Sequence, residues 1–222
     1  MNDLSRPLER TIQEAPIRAP LLRGIHHLAI NTDDMRATLD FYVRILGMPL
    51  LHGLITGVGA AARAVARGNP PFDRIPHYFV DMGGDSTLAI FEFPKGKTPK
   101  ADRNSVAGMQ HMSFACTPSC FVEMQERLKR NDIEIMFGPK VVLPPNIQSI
   151  YFFDPNGIRL EISADMSGEE ADLKVVRSVL MDHDTMRREL GKISDDPAWI
   201  DEMLANMSVE RPLYPGAKMP SA

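Results

Sequence analysis

GIHHLAIN (residues 24–31) and GMQHMSFA (residues 108–115) decide the fold of this chain. Each opens on a glycine, carries a histidine three residues later, and then alternates apolar with small or polar side chains. The glycines lie 84 residues apart, and so do His27 and His111. An internal repeat predicts two copies of one supersecondary unit, neither able to bury its apolar face alone.

The sequence after each segment obeys the same grammar. After the first, Thr32 or Asp33 can cap a helix on which Met35, Leu39, Tyr42 and Leu46 recur, and Gly47 closes it. Strands are predicted at Leu50–Leu51, His77–Asp81 and Thr87–Phe93, with Gly83–Gly84 as the turn between the last two. After the second, Thr117–Pro118 starts a helix carrying Phe121, Met124 or Gln125, and Leu128, and Asn131–Asp132 ends it. Strands follow at Ile133–Phe137, Ser149–Phe153 and Ile158–Ser163, the last two around Asp154-Pro155-Asn156-Gly157. LEIS (160–163) stands where LAIF (88–91) stands in the first copy. The expected class is α+β: paired βαβββ modules, about 23–95 and 106–165, forming an open barrel or cup within a domain at 23–165.

Outside the repeat, residues 1–22 are polar, contain Pro7, Pro16 and Pro20, and read as an arm. Residues 166–222 read as a helical extension: Leu173, Val176 and Leu180 mark one helix, and Asp196-Pro197 starts another with Trp199, Met203 and Met207. The stretch GLITGVGAAARAVARGNPP (53–71) reads first as a short surface helix with solvated charges. Its second reading is a lid turning Arg63 or Arg67 toward an anionic substrate. Its G-V-G follows no buried strand and is not a nucleotide loop.

Composition sets the outer bounds. Net charge is −4, so no basic excess is available to neutralise phosphates, and nucleic acid is not expected as a partner. No apolar run approaches the roughly 20 residues of a membrane span. Two cysteines at C-x3-C spacing, Cys116 and Cys120, exclude a disulfide scaffold and read as inert core thiols, which suits the cytoplasm. Residues 166–222 hold 11 acidic and 7 basic side chains, leaving 18 of each in residues 1–165. The mild acidity therefore belongs to the extension, and the repeat is formally neutral.

Strand alternation identifies the inward-facing residues. His27 and Ala29 oppose Leu28 and Ile30; His111, Ser113 and Ala115 oppose Met112 and Phe114; Glu161 and Ser163 oppose Leu160 and Ile162. With the apolar sides on the helices, two histidines and one carboxylate face the concave side. That donor set suits Fe(II) or Mn(II) and can take Zn(II) or Ni(II), with coordination positions left open. Ala89 occupies the place of Glu161 in the first copy, and Glu92 has the opposite parity, so three protein ligands are expected. A register slip of one would turn His26 inward instead of His27. His52, His77 and His183 have no partner in the repeat and read as structural.

Residues 24–50 (GIHHLAINTDDMRATLDFYVRILGMPL), 108–115 and 150–163 (IYFFDPNGIRLEIS) resemble the vicinal oxygen chelate superfamily over about residues 22–165. That group contains glyoxalase I, bleomycin and fosfomycin resistance proteins, methylmalonyl-CoA epimerase and type I extradiol dioxygenases. The resemblance implies paired modules around a metal-holding cup, often completed in a homodimer, that chelates a small substrate. It puts His27, His111 and Glu161 on the metal positions. Glyoxalase I and the epimerase use a fourth ligand where this chain has Ala89, whereas the extradiol enzymes use three. Tyr151 matches the extradiol pattern Y-x2-[DT]-P-x-G-x3-E, and Thr87–Ile90 with Phe93-Pro94 resembles a strand of those enzymes. Their acid–base histidine is replaced here by Ser86, beside Asp85, and a second histidine by Val142. His77 or Asp85 would have to substitute. The implied activity is an extradiol-like dioxygenase, with a lyase or isomerase and a metal-free drug binder as alternatives.

Overall fold

The structure is a computed structural model that describes residues 24–57, 72, 74–143, 146–167 and 181–207. The predicted arm, Arg63, Arg67 and the Leu173–Leu180 helix lie outside the described residues. Residues 24–167 belong to one compact unit and residues 181–207 to another.

The first unit contains the repeat. Its first module runs β1 (His27–Thr32), α1 (Met35–Leu39), a π-helical turn (Asp40–Ile45), β2 (Leu50–Gly57), β3 (Arg74–Gly83) and β4 (Ser86–Glu92). The second runs β5 (Met112–Cys116), α2 (Pro118–Arg130), β6 (Phe137–Leu143), β7 (Ile147–Phe153) and β8 (Arg159–Asp165). The sheets are ordered β1-β4-β3-β2 and β5-β8-β7-β6, and neither closes into a barrel. In each, the first strand lies parallel to the last, with Ala29 opposite Ala89 and Ser113 opposite Glu161. The module order expected from the repeat is present in both halves.

Local chemistry fixes the helix starts. Thr117 accepts from the Cys120 amide at 3.3 Å, with Pro118 at the first helical position. In the first module the cap is Asp34, not Thr32 or Asp33: its carboxylate accepts from the Ala37 amide at 3.0 Å. Thr32 instead bonds Thr38 at 2.8 Å and accepts from the Asp34 amide at 3.0 Å.

The predicted strand at Ile133–Phe137 is displaced. Ile133 and Ile135 pack on the core, but pairing with β7 is first made by the Met136 amide, at 2.8 Å from the Tyr151 carbonyl. The strand proper is Phe137–Leu143, through Gly138-Pro139. Proline is tolerated there because β6 is an edge strand, with a register shift between Phe137 and Lys140.

The apolar sides of both modules form a single core. Phe41, Leu88 and Ile90 of the first share a cluster with Phe121, Phe152 and Leu160 of the second. A polar clamp lies within it. Tyr42, fully buried, donates to Asp154 at 3.1 Å, and Asn156 donates to Thr38 at 3.2 Å. Asp154 also receives the amides of Asn156 and Ile158 at 2.9 and 2.8 Å. Burial pushes its carboxyl above the usual range, against those hydrogen bonds. Burial, and then the charge of Asp154, pushes the Tyr42 phenol well up.

In the second unit, α3 (His183–Leu190) is capped by Asp182 and α4 (Pro197–Ala205) by Asp196, with Pro197 at the first helical position as its sequence predicts. An Arg187–Asp201 ion pair at 2.7 Å joins them. No helix among the described residues is long and apolar enough to cross a membrane.

Asp154→Ala strands the buried Tyr42 hydroxyl and is expected to cost about 3 kcal/mol in urea unfolding. The raised folded pKa of Asp154 means that the native state holds its proton more tightly than the unfolded chain. Its contribution is thus fully present below pH 3.8 and lost as pH rises through the raised value. Wild-type stability relative to Asp154→Asn is expected to fall across that window; a flat difference would contradict the assignment.

Candidate metal centre

Glu161 occupies the open face of the second sheet, paired with Tyr151 on β7 and Ser113 on β5. Only 6% of it is exposed, so its carboxylate must be hydrogen-bonded or neutralised. Tyr151 donates to Oε1 at 2.6 Å and Ser163 at 3.1 Å. Oε2 lies 2.9 Å from Nε2 of His111. Burial raises the Glu161 pKa, but the bonds from Tyr151, Ser149 and Ser163 and the nearby His111 outweigh it, holding Glu161 below the usual range. Tyr151 is pushed up to about 12, by burial and then by Glu161, and stays a hydroxyl donor.

His111 sits one residue before β5, its ring edge-on to Tyr151 at 5.8 Å. Its Nδ1 faces Oε1 of Gln110 and lies 3.4 Å from Nη2 of Arg159. Two ligand atoms each about 2.1 Å from one ion and at right angles are about 3.0 Å apart, close to the His111–Glu161 separation. Oε1 of Gln110 can accept a hydrogen bond from Nδ1–H, which leaves the Nε2 lone pair for a metal. The donor chemistry of this pair therefore fits a divalent ion.

His27 faces the open side of the first sheet, as alternation predicts, and is exposed. Its Nδ1 is 2.9 Å from Nδ1 of His26, and its ring meets Phe79 edge-on at 6.4 Å. Among the described residues, no three His, Cys, Asp or Glu side chains lie together where they could hold one ion. The structure brings His111, Glu161 and Tyr151 together and does not bring His27 to them. Alternation fixes which way a side chain points from its own sheet. It says nothing of how two sheets are turned, and the shared core decides that.

The other sequence candidates lie on the first module. His77 stacks on Phe91 at 3.8 Å and lies 4.4 Å from Phe79, and its buried Nε2 has no partner. Burial first, then His27 and His52, lowers its pKa. Ser86 donates to the Ile25 carbonyl at 2.5 Å, holding the chain before β1, while Asp85 is exposed at the β3–β4 turn with φ of 62°. Both serve the turn. Ala89 is 1% exposed opposite Phe79, and Glu92 accepts from the Met35 amide at 2.7 Å, away from the open face. Sequence reasoning missed Gln110 and Arg159. Arg159 was within reach of the same alternation rule, being two residues before Glu161 on one strand.

The family model of the Glyoxalase/Bleomycin resistance protein/Dioxygenase superfamily matches residues 24–162. Among solved structures, a glyoxalase/dioxygenase from Nostoc punctiforme is 27% identical, covering 68% of this chain and 98% of that one, with a TM-score of 0.48. A glyoxylase/bleomycin resistance protein/dioxygenase domain from Frankia sp. EAN1pec is 19% identical over 67% and 96%, with a TM-score of 0.51. A variant of the fosfomycin resistance protein FosX from Listeria monocytogenes, complexed with Mn(II) and a dihydroxypropylphosphonic acid, is 18% identical over 64% and 92%, with a TM-score of 0.45.

Tyr151→Phe removes the 2.6 Å bond to Oε1 of Glu161 and leaves the serine bonds in place. The expected loss is about 1–2 kcal/mol in urea unfolding of protein stripped of metal, with the fold intact by circular dichroism.

Proposed function

Since the chain belongs to the glyoxalase/bleomycin resistance protein/dioxygenase superfamily, we propose that it is a metal-dependent enzyme whose cup binds a small substrate through two adjacent oxygens. One observation carries this: an imidazole and a buried carboxylate at ligand spacing, with Tyr151 bonded to the carboxylate's other oxygen. His111 and Glu161 would hold the ion, which supplies Lewis acidity and, as Fe(II), access to dioxygen. Gln110 sets the tautomer of His111, and Tyr151 offers a protonated donor beside the substrate's oxygens.

The third ligand in this reading is His27 of a second copy, making the protein a homodimer. The exposure of His27 supports it, as do the exposed apolar residues on both open faces, Leu54 on the first sheet and Phe137 on the second. The finer reading is extradiol-type cleavage of a catechol by Fe(II). Its support is the three-ligand set, with buried Ala89 at the fourth position, and the place of Tyr151. Cys116 and Cys120, half-buried and outside any disulfide, suit the reducing cytoplasm.

His27→Ala, His111→Ala and Glu161→Ala are each expected to weaken metal binding at least about 100-fold in chelator competition. Unfolding and refolding His27→Ala together with Glu161→Ala restores one intact site per mixed dimer if the cup crosses the interface. No recovery would sink the two-copy site. Oxygen uptake with catechols by the Fe(II)-loaded protein tests the finer reading; catechol binding without uptake would overturn it in favour of a lyase or isomerase.

A further inference from the structure

We infer that Arg159 is an anion-binding residue of this cup, and that the substrate carries a carboxylate beside its two chelating oxygens. The inference rests on the metal-cup reading above and narrows its substrate class.

Arg159, Glu161 and Ser163 alternate along β8 and share its open face. The guanidinium carbon of Arg159 lies 5.7 Å from the Tyr151 ring centroid, and Nη2 is 3.4 Å from Nδ1 of His111. The group thus lies beside His111 and Tyr151, two of the residues that touch Glu161. It is half-buried, its Nε is buried with no hydrogen-bond partner, and no carboxylate among the described residues lies within ion-pair distance of it. Among the described arginines, Arg44, Arg127, Arg130 and Arg187 have carboxylate partners, and Arg36, Arg103 and Arg188, which have none among the described residues, are exposed. An exposed guanidinium does without a partner because water solvates it. A half-buried one with an orphaned N–H is left under-solvated.

Metal binding deepens the deficit. With the lone pair of His111 Nε2 directed to an ion, the ring proton would sit on Nδ1 and hydrogen-bond to Oε1 of Gln110. Nδ1 would then not accept from Arg159, which would lose its one side-chain hydrogen bond among the described residues. What remains is a planar fork of donors over an aromatic ring, and such a fork takes a carboxylate in two parallel hydrogen bonds. Charge points the same way. A divalent ion, one glutamate, two neutral histidines and Arg159 leave two positive charges. A substrate with one ionised chelating oxygen and one carboxylate balances them.

The test uses the full-length protein loaded with Zn(II) and calorimetric titration with catechol and 3,4-dihydroxybenzoate, which differ by one carboxylate. Wild type is expected to bind the benzoate at least about tenfold more tightly. Arg159→Met is expected to abolish that preference while catechol and zinc affinities stay unchanged, and Arg159→Lys to retain part of it. Equal wild-type affinities, or a variant that weakens both ligands in step or loses zinc, would overturn the anion role; the last of these would make Arg159 a positioning residue for His111. If neither ligand binds the loaded wild type, the cup reading falls and takes the anchor with it.

Discussion

The buried bond between Tyr42 and Asp154 is the point from which the architecture follows. It joins a helix of the first module to the β7–β8 turn of the second, in the middle of one apolar cluster. A phenol and a carboxylate out of water are tolerated only when each satisfies the other, so the contact admits one relative placement of the modules. Asn156 and Thr38 reinforce the same placement. Once the apolar sides of both modules are committed to a common core, each open face keeps its own polar complement. The first carries His27, His52 and His77 around Phe79, and the second carries His111, Glu161, Tyr151 and Arg159.

That division explains what the sequence could and could not reveal. Period-two alternation is a local property, so His27, Glu161 and the exclusion of Glu92 were legible residue by residue. The repeat was legible because each module has to solve the same burial problem. The convergence of His27 with His111 and Glu161 was not, because it depends on how two sheets are turned relative to each other. The information for that turn sits in Tyr42 and Asp154, which read in sequence as one more apolar helix position and one more turn residue. The misplaced sixth strand has a similar cause. Ile133 and Ile135 alternate like a strand but are spent on the core, whereas Gly138-Pro139 looks like a break and falls on an edge where a missing amide does no harm.

The acid–base question turns on the same geometry. The position where extradiol enzymes carry their histidine is Ser86 here, and its hydroxyl is committed to the Ile25 carbonyl. Asp85 sits exposed at a turn tip. A buried imidazole nitrogen without a partner belongs to His77, packed between Phe91 and Phe79. It lies on the open face that carries His27. If a second copy delivers His27 to the ion, the same sheet brings His77 on the same face, from β3, with β4 lying between it and β1. A cup assembled across two copies would therefore gain a third ligand and a proton-transfer group from a single face. Within one protomer His27 does not join His111 and Glu161 in a group of three ligand-type side chains among the described residues. On this reading, dimer formation and the acquisition of catalytic competence are the same event.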